Sequence, residues 1–520
     1  MLHASQVSGT RLGRWRALAL VLGFVLSAAL AVPALATAAT ITVTAASDDI
    51  TPNDGGVSLR EAIMSINAGN NLGDPDIITH VTGTYGVNDT IDFAISGAVR
   101  HVISVGTDSS APGLALPTII KPVTINGYSQ SGASVNTLAN ADNAVLEIAL
   151  NGAHAPASAD GLLFGIGTAN SAGSALEGLD IYGFGGNQVE LRSQNDFVVG
   201  NELGFDTGGS AATSGQGVLI AFAGTETIGG STPAARNVIS GNVGSGVKIS
   251  GINAAPATGN VVQGNFIGVG PTGTSTNGNG RLAPNTHVGA VQVDGGNANT
   301  IGGTAAGARN VIAGNGSGVD IRNGGEDNTV QGNFIGVGAD GVTHVPNLDF
   351  GVHVGSDGNQ SPPAGSGQAN EPAASGNFIG GTTAGAGNLI EFNGGDAVVI
   401  DGTMPQNNAT QAQNSGNSVE GNSIFSNGGL GIDLKAVAAN PKPNNLMAAP
   451  AITAVTTGGA STVIAGTLSM PGSGGMTVRV ELFASASCDA GGAGEGQEFL
   501  GFANVTTDGS GNASFSTTVA

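Results

Sequence analysis

Five charged side chains that could carry acid–base chemistry gather in one stretch of the sequence. Asp320 and Arg322 stand two residues apart in a β-branched run, so on a strand they would share one face. Asp349, His353 and Asp357 follow in the next such run, with spacings that also favour a common face. Carboxylates beside a histidine and an arginine are the groups that acid–base catalysts of glycosidic bonds use. If the protein is an enzyme, the predicted catalytic residues in this set are Asp320, Arg322, Asp349 and His353.

The same spacing is typical of polar residues on the solvated face of a strand, and this second interpretation is favoured. Outward strand positions must be filled by some residue, and charged side chains are common there. The sequence contains neither the paired aspartates and Gly-His-Gly of polygalacturonases nor the Asp-Pro-His-Glu of alginate epimerases. Catalysis at this cluster is therefore the alternative hypothesis, and the leading prediction names no catalytic residue.

A single Gly-Gly-Leu-Gly-Ile-Asp run at 428–433 matches the core of calcium-binding β-roll repeats, in which glycine corners and an aspartate bind the ion. Such repeats bind calcium between stacked copies, and the next apolar position here holds Lys435. An ordinary turn is therefore predicted, with no metal site and no cofactor. A structural Ca²⁺ is the alternative interpretation.

Composition narrows the classes of protein that could present these residues. The 520-residue chain has 89 glycines, 40% hydrophobic, 10% charged and 4% aromatic residues, and a net charge of −22. Glycine at this density without a Gly-X-Y period excludes collagen, and the abundance of Val and Ile excludes simple disorder. A turn-rich all-β chain remains. The acidic balance excludes nucleic acid as the expected partner.

The first 38 residues have the pattern of an export signal. Three arginines precede an apolar run from 17 to 32, and small residues follow in two A-x-A patterns that end at Ala36 and Ala38. Cleavage there predicts a secreted or cell-surface protein whose mature chain has no transmembrane span. Cys488 is the single cysteine, so no internal disulfide is expected.

Two short patterns recur along the chain. The first, TIGG followed by RNVI, is centred on Asn237 and Asn310, and a degenerate copy is centred on Asn388. These centres are 73 residues (310 − 237) and 78 residues (388 − 310) apart. The second pattern, VQGNFIGVG, ends at Gly270 and at Gly338. Self-similarity of this kind predicts an array of stacked units.

Each repeat contains very short β-branched runs bounded by Gly or Asn, which cannot build helices. Gly and Asn tolerate the left-handed backbone of tight corners, so the Gly-Asn steps at Asn242, Asn265, Asn315 and Asn333 predict bends. Stacked coils would place such asparagines above one another in buried ladders. The predicted fold is all-β, a right-handed parallel β-helix with about three coils of ~20 to 25 residues per long repeat and on the order of a dozen coils.

The N-terminal segment predicts a cap on the open end of this solenoid. Ser58 and Glu61 form a capping box before an amphipathic run, so a short helix is expected there. The run VSLREA at 57–62 resembles the CSLREA element at the start of many secreted bacterial β-helix proteins, with Val57 in place of the cysteine. The two repeats are similar to those usually found with that element, in the pectate-lyase-like superfamily. The resemblance implies architecture and export, and no common activity.

Beyond residue 434 the pattern changes, and residues 439–449 predict a linker rich in Pro and Asn. Five alternating runs then predict a small immunoglobulin-like β-sandwich, at 452–455, 462–468, 477–483, 499–505 and 513–519. The chain stops directly after a strand, which leaves open that this domain is incomplete. The predicted organisation is a leader at 1–38, an N-terminal cap at 39–89, a β-helix at 90–438, the linker, and the sandwich at 450–520.

Repetition without a charged focus favours a non-catalytic protein that presents a rigid face for adhesion or glycan binding. The expected partner is an extracellular polysaccharide or a cell-surface glycan. The alternatives are a polysaccharide lyase, hydrolase or epimerase that uses the charged cluster, and a structural component of an envelope or matrix. The repeats encode the scaffold and name no ligand.

Overall fold

The structure is a computed structural model, and it describes ten segments of the chain. They are residues 37–97, 100–166, 170–205, 215–251, 255–281, 288–355, 373–402, 414–435, 443–487 and 494–519. The predicted leader lies outside the described residues except for Thr37 and Ala38, and Asp357 and Cys488 also lie outside them.

Three long sheets, numbered here in the order in which the chain visits them, form the body of the molecule. Sheet 1 has twelve strands: Thr40–Val43, Val81–Thr82, Asp89–Phe93, Val123–Asn126, Ala175–Glu177, Phe197–Val199, Thr227–Gly229, Val261–Gln263, Thr300–Gly302, Thr329–Gln331, Phe378–Gly380 and Ser418–Glu420. Sheet 2 has ten: His101–Ser104, Ile148–Asn151, Leu179–Tyr182, Glu202–Leu203, Val238–Ile239, Phe266–Ile267, Val311–Ile312, Phe334–Ile335, Leu389–Glu391 and Ser423–Phe425. Sheet 3 has nine: Leu162–Phe164, Val189–Leu191, Val218–Ala221, Val247–Ser250, Gly289–Asp294, Ser317–Arg322, Val352–Gly355, Val398–Asp401 and Ile432–Lys435.

The order of the strands defines a helical path. The strand Thr227–Gly229 of sheet 1 is followed by Val238–Ile239 of sheet 2 and then by Val247–Ser250 of sheet 3. The next strand of sheet 1, Val261–Gln263, returns to pair in parallel with Thr227–Gly229. Parallel crossovers of this kind are right-handed in nearly all proteins. The fold is therefore a right-handed parallel β-helix, as the repeats predict.

Each long repeat contains two coils. Thr227, Val261 and Thr300 are successive Cα partners in sheet 1, although Thr227 and Thr300 are 73 residues apart (300 − 227). The prediction of three short coils per repeat was wrong because part of the repeat lies outside the cylinder. Val269, in one such loop, packs against Phe266 on the outer face of sheet 2.

Branched side chains fill the interior of the cylinder. Ile228, Val262 and Ile301 lie one above another in sheet 1 and are fully buried. Burial of such a side chain stabilises the folded state by roughly 1.5 to 3 kcal/mol. Because alternate residues of a strand point to opposite faces, the neighbours of these residues point outward.

Asparagine ladders run along three corners of the coil, as predicted. Their members are Asn260, Asn299, Asn328, Asn377 and Asn417 in the first ladder; Asn201, Asn237, Asn265, Asn310, Asn333, Asn388 and Asn422 in the second; and Asn242, Asn279, Asn315, Asn347, Asn393 and Asn427 in the third. Asn265 is typical, since its Nδ2 donates to Asn310 Oδ1 at 3.1 Å and to the carbonyl of Ile228 at 2.8 Å. Each rung thus satisfies backbone groups that the corners leave open.

Helix α1, Leu59–Ala68, closes the N-terminal end as predicted. The Ser58 hydroxyl accepts from the Glu61 backbone N–H at 3.1 Å, and the Glu61 carboxylate accepts from the Ser58 N–H at 2.9 Å. Leu59 and Ile63 are buried in the main core. A second helix, α2, spans Pro75–His80.

Sheet 1 begins earlier than the predicted β-helix. Thr40–Val43 pairs in parallel with Asp89–Phe93, so a strand of the solenoid lies inside the segment expected to be only a cap. Smaller elements complete the solenoid and its exit: the parallel pair Ala257–Thr258 and Gly296–Asn297, and the 3₁₀ helices Gly127–Ser129, Pro233–Ala235, Ala306–Ala308 and Pro443–Leu446.

The C-terminal domain is a sandwich of two antiparallel sheets. One contains Ala451–Gly458, Ser461–Ser469 and Asn512–Val519, and the other contains Thr477–Ala484 and Glu498–Thr506. Their shared core includes Ile464, Val480, Val505 and Phe515. All five predicted runs are strands, although five is fewer than the roughly seven of an immunoglobulin domain.

No helix among the described residues has the length and apolarity that crossing a lipid bilayer requires.

Candidate functional site

The structure brings Asp320, Arg322 and His353 together on the outer face of sheet 3. Asp320 and His353 are Cα partners on adjacent strands. Their sequence neighbours Val319 and Ile321 are fully buried in the core, so the side chains of Asp320 and Arg322 leave the strand on its opposite face.

A fourth residue, Asp401, completes this group. His353 Nδ1 lies 2.8 Å from Asp320 Oδ1, and His353 Nε2 lies 3.2 Å from Asp401 Oδ2. Arg322 Nη1 lies 3.5 Å from the other oxygen of Asp320. Asp320 is 0% exposed and His353 is 5% exposed. The four side chains therefore form a buried ion cluster that joins three consecutive coils.

The two carboxylates control the charge of His353. Burial by itself would lower the pKa of His353, but the hydrogen bonds and charges of Asp320 and Asp401 raise it to about 10. At neutral pH the ring is thus an imidazolium that donates from both nitrogens. With Arg322, the cluster holds two positive and two negative charges, which is the balance that buried ions need.

This geometry does not suit acid–base catalysis. A general base needs an unprotonated nitrogen within reach of the reacting proton and a pKa near the working pH. Both nitrogens of His353 face carboxylates, and its raised pKa keeps both protonated. The arrangement is suited instead to fixing neighbouring coils to each other.

Asp349 is placed away from the strand that carries His353. It lies in the turn before Val352–Gly355, where its N–H donates to the Gly316 carbonyl at 3.0 Å and its own carbonyl accepts from Gly395 at 3.0 Å. Asp349 therefore precedes the strand, which begins at Val352, and a shared face with His353 stays a prediction.

Sequence reasoning missed Asp401, although a signal for it exists. In Val398–Asp401, Val398 and Ile400 point inward, and Asp401 is the polar residue on the outward face, as Asp320 is on its own strand. Its reach to His353 depends on Gly355, which lies between them. A Cβ on Gly355 would overlap Asp401 Oδ1 and would stand 3.1 Å from His353 Nε2.

The glycine run that resembles a calcium repeat forms the turn into Ile432–Lys435. The Leu430 N–H donates to Asp396 Oδ1 at 2.6 Å, so a carboxylate of the preceding coil holds this turn. In the described segments, no group of three or more His, Cys, Asp or Glu side chains is arranged to hold a metal ion.

The outer face of sheet 2 is covered by the chain itself around its middle strands. Phe266 and Phe334 point outward there, and a guanidinium lies over each ring: Arg236 at 4.2 Å and Arg309 at 4.0 Å. Val345, from a loop, packs into the same cluster. The middle of this face is therefore covered, whereas Val102 near its N-terminal end is 41% exposed.

The outer face of sheet 1 is partly exposed over six strands, from Phe197–Val199 to Phe378–Gly380. We call it the sheet 1 face and define it by the outward residues Phe197, Val199, Thr227, Val261, Gln263, Thr300, Thr329, Gln331 and Phe378. Phe197 and Phe378 are 45% and 50% exposed, and the residues between them are partly exposed.

The sheet 1 face carries hydrogen-bonding groups but no charge. The nearest carboxylates along its columns are Glu177 on one side and Glu420 on the other. Among the described residues, the backbone carbonyls of Gln263 and Gln331 accept hydrogen bonds, whereas their side-chain amides make none. These amides are available as both donors and acceptors.

Several solved structures are similar to this chain at low sequence identity. No family model and no curated protein matches the chain. Solved structures that are similar include an alginate lyase from Paenibacillus sp. (14% identity, covering 68% of this chain and 91% of that one, TM-score 0.26) and a pectate lyase (8% identity, 75% and 80%, TM-score 0.29). Another is the tailspike of E. coli bacteriophage HK620 in complex with a pentasaccharide (11% identity, 84% and 75%, TM-score 0.23). These values are low, so the fold assignment rests on the strand order and register of this chain.

Proposed function

We propose that the protein is a non-catalytic, exported β-helix protein that binds a neutral polysaccharide on the sheet 1 face. The observation that carries the proposal is the contrast among the three outer faces. The middle strands of sheet 2 are covered by loops and arginines, and sheet 3 bears a buried, charge-balanced cluster, whereas the sheet 1 face is partly exposed, polar and uncharged. The two lyases and the tailspike in complex with a pentasaccharide are consistent with a polysaccharide ligand.

Charge favours a neutral ligand over an acidic one. The chain has a net charge of −22, which repels polyanions at long range. The sheet 1 face offers Thr hydroxyls and Gln amides, which hydrogen-bond to sugar hydroxyls without needing a charge. An exposed Phe ring can pack against the CH groups on one face of a sugar ring.

The dimensions of the face suit an extended chain. Phe197 and Phe378 lie on strands of sheet 1 that are five steps apart, which at ~4.8 Å per step is about 24 Å. That length accommodates several sugar units in a row. We therefore expect oligosaccharides to bind more tightly as they lengthen, until they reach both rings.

Binding of the purified chain to soluble neutral and acidic polysaccharides tests the proposal. We expect binding to a neutral polymer, and Phe378→Ala should weaken it by roughly two- to twelvefold, because a lost aromatic contact costs about 0.5 to 1.5 kcal/mol. Phe222→Ala is the matched control, since Phe222 is also exposed but lies outside this face. The assignment would be refuted if the protein bound no neutral polymer. It would also be refuted if Phe378→Ala and Phe222→Ala lost affinity equally.

Incubation with the same polymers separates binding from catalysis. We expect no depolymerisation and no epimerisation. Turnover that disappears in His353→Ala, in a variant that remains folded, would instead support the enzyme hypothesis built on Asp320 and His353.

Export is part of the proposal and is supported by the leader pattern and the CSLREA-like run at 57–62. Expression in a bacterial host followed by mass measurement of the extracellular chain would test it. We expect a mature N-terminus near residues 37 to 39. A full-length chain retained in the cytoplasm would contradict this.

A further inference from the structure

The first asparagine ladder continues beyond Asn260 with two acidic residues. The Glu226 N–H donates to Asn260 Oδ1 at 2.9 Å, and the Asp196 N–H donates to Glu226 Oε2 at 2.7 Å. These are the contacts that link consecutive asparagines elsewhere, for example the Asn260 N–H to Asn299 Oδ1 at 2.9 Å. Glu226 and Asp196 therefore occupy rungs of the ladder.

The two carboxyl groups differ in how their oxygens are satisfied. Asp196 Oδ1 accepts from the Ser174 N–H at 2.8 Å, and Asp196 Oδ2 accepts from the Ser193 hydroxyl. Glu226 is 0% exposed, and among the described residues no donor reaches its Oε1. A buried carboxylate oxygen without a donor is strongly unfavourable.

The asparagine rungs indicate that Glu226 Oε1 should be a hydrogen-bond donor. In the rungs from Asn260 to Asn377 the side-chain nitrogen donates to the next rung and to a backbone carbonyl of the preceding coil, as Asn260 Nδ2 does to Asn299 Oδ1 at 2.9 Å. A carboxyl group can supply a donor at this position only when it is protonated. We infer that Glu226 is a neutral carboxylic acid at physiological pH, with its Oε1 hydroxyl in the role of the asparagine NH₂.

The electrostatic surroundings agree with this assignment. Burial, and then the charge of Asp196, raise the pKa of Glu226 from its ordinary value of 4.5 to about 9. Burial also raises the pKa of Asp196, to about 6, against the hydrogen bonds of Ser193 and Ser174. Asp196 is the titratable group that faces Glu226, and no cation of a described residue contributes to either shift.

The assignment makes this rung sensitive to alkaline pH. Because the pKa of Glu226 is higher in the folded state than in the unfolded state, its contribution to stability is complete below about pH 4.5. It declines as the pH rises towards about 9, since the unfolded chain releases this proton first. The ladder therefore contains a proton-binding site that weakens its N-terminal end in base.

Infrared difference spectroscopy tests the inference directly. At neutral pH, the spectrum of the wild-type chain minus that of Glu226→Gln should show the carbonyl stretch of a protonated carboxylic acid. Asp196→Asn is the matched control and should leave that band in place, with at most a small shift. A difference spectrum that shows only carboxylate bands would overturn the inference.

Denaturant unfolding from about pH 5 to about pH 9 provides the second measurement. Glu226→Gln should reduce the loss of stability that the wild-type chain suffers across this range, because an amide donates at every pH. The same slope in both proteins would contradict the inference, and so would failure of Glu226→Gln to fold, since Gln can make every contact assigned here. A chelator that destabilises the wild type but not the variant would show that a cation occupies the rung, which also overturns it.

Discussion

At the scale of single residues, sheet 3 shows how a histidine can be structural in a place where sequence suggests catalysis. Asp320 and Asp401 lie on opposite sides of His353, two strands apart, and each faces one ring nitrogen. Gly355 makes this possible, because it stands in the same column as Asp401 and has no side chain. The contact between His353 and Asp401 therefore requires a glycine at position 355 as well as the two opposite charges.

Gly355→Ala tests that dependence. The added Cβ would overlap Asp401 Oδ1, so Asp401 should leave His353, and stability should fall by roughly 1 to 3 kcal/mol. The pKa of His353, followed by NMR titration, should also fall from its raised value because one of its two carboxylate partners is lost. Gly458→Ala is the control, since a Cβ there meets no atom within 4 Å. An unchanged His353 titration in Gly355→Ala would show that Asp401 does not set its charge.

At the scale of the elements, the corners fix the register of neighbouring coils, which strands as short as these cannot fix alone. Val238–Ile239 and Val311–Ile312 are two residues long, so a ladder of backbone hydrogen bonds alone gives them little register. Asn237 and Asn310 stand directly before these strands and bind the coils on either side. The asparagines therefore fix the register that short strands leave weak.

Asn310→Ala tests the contribution of one rung. The substitution removes the acceptor of Asn265 Nδ2 and the donors to the Val262 carbonyl and to Asn333 Oδ1. Because these partners stay buried, we expect a loss of about 2 to 4 kcal/mol in the free energy of unfolding. Asn504→Ala, at an exposed position of the sandwich, should cost less than ~0.5 kcal/mol. Equal losses in the two variants would mean that the ladders do not stabilise the solenoid.

At the scale of the whole molecule, a segment of the sandwich caps the C-terminal end of the solenoid. Both belong to the compact unit Ala38–Ala520. Glu495 stands where the next member of the third ladder would be, since its Oε2 accepts from Asn427 Nδ2 at 2.8 Å. The Gly496 carbonyl accepts from the Ile424 N–H at 3.0 Å, and the Gln497 carbonyl accepts from the Ser423 hydroxyl at 2.6 Å. The segment 494–497 thus covers the last strand of sheet 2.

Local patterns made most of this architecture predictable, and long-range contacts account for what was missed. The Gly-Asn steps gave the corners because only a few residue types accept a left-handed backbone. The number of coils per repeat could not be predicted from these local patterns. The loop that contains Val269 packs outside sheet 2, yet its composition is the same as that of a coil. Asp401 and Glu495 were missed because their partners are 48 and 68 residues away (401 − 353 and 495 − 427), a distance that no local pattern encodes.

The role of the sandwich as an end cap makes a prediction for a shortened chain. A protein that ends at Pro450 keeps the 3₁₀ helix Pro443–Leu446, whose Asn444 accepts from the Asn417 N–H at 3.1 Å, but it loses segment 494–497. The strand Ser423–Phe425 would then present unpaired backbone groups and Ile424 to solvent. Exposed strand edges of this kind pair with other chains.

We therefore expect the shortened protein to self-associate in a concentration-dependent way, whereas the full chain should show less association at the same concentration. Light scattering after size-exclusion chromatography measures this. Glu495→Ala in the full chain is the matched control: it removes one ladder contact but keeps the covering segment, so it should lower stability without promoting association. A shortened protein that stays monomeric and as stable as the full chain would show that the solenoid needs no cap at this end, and that the sandwich serves another purpose.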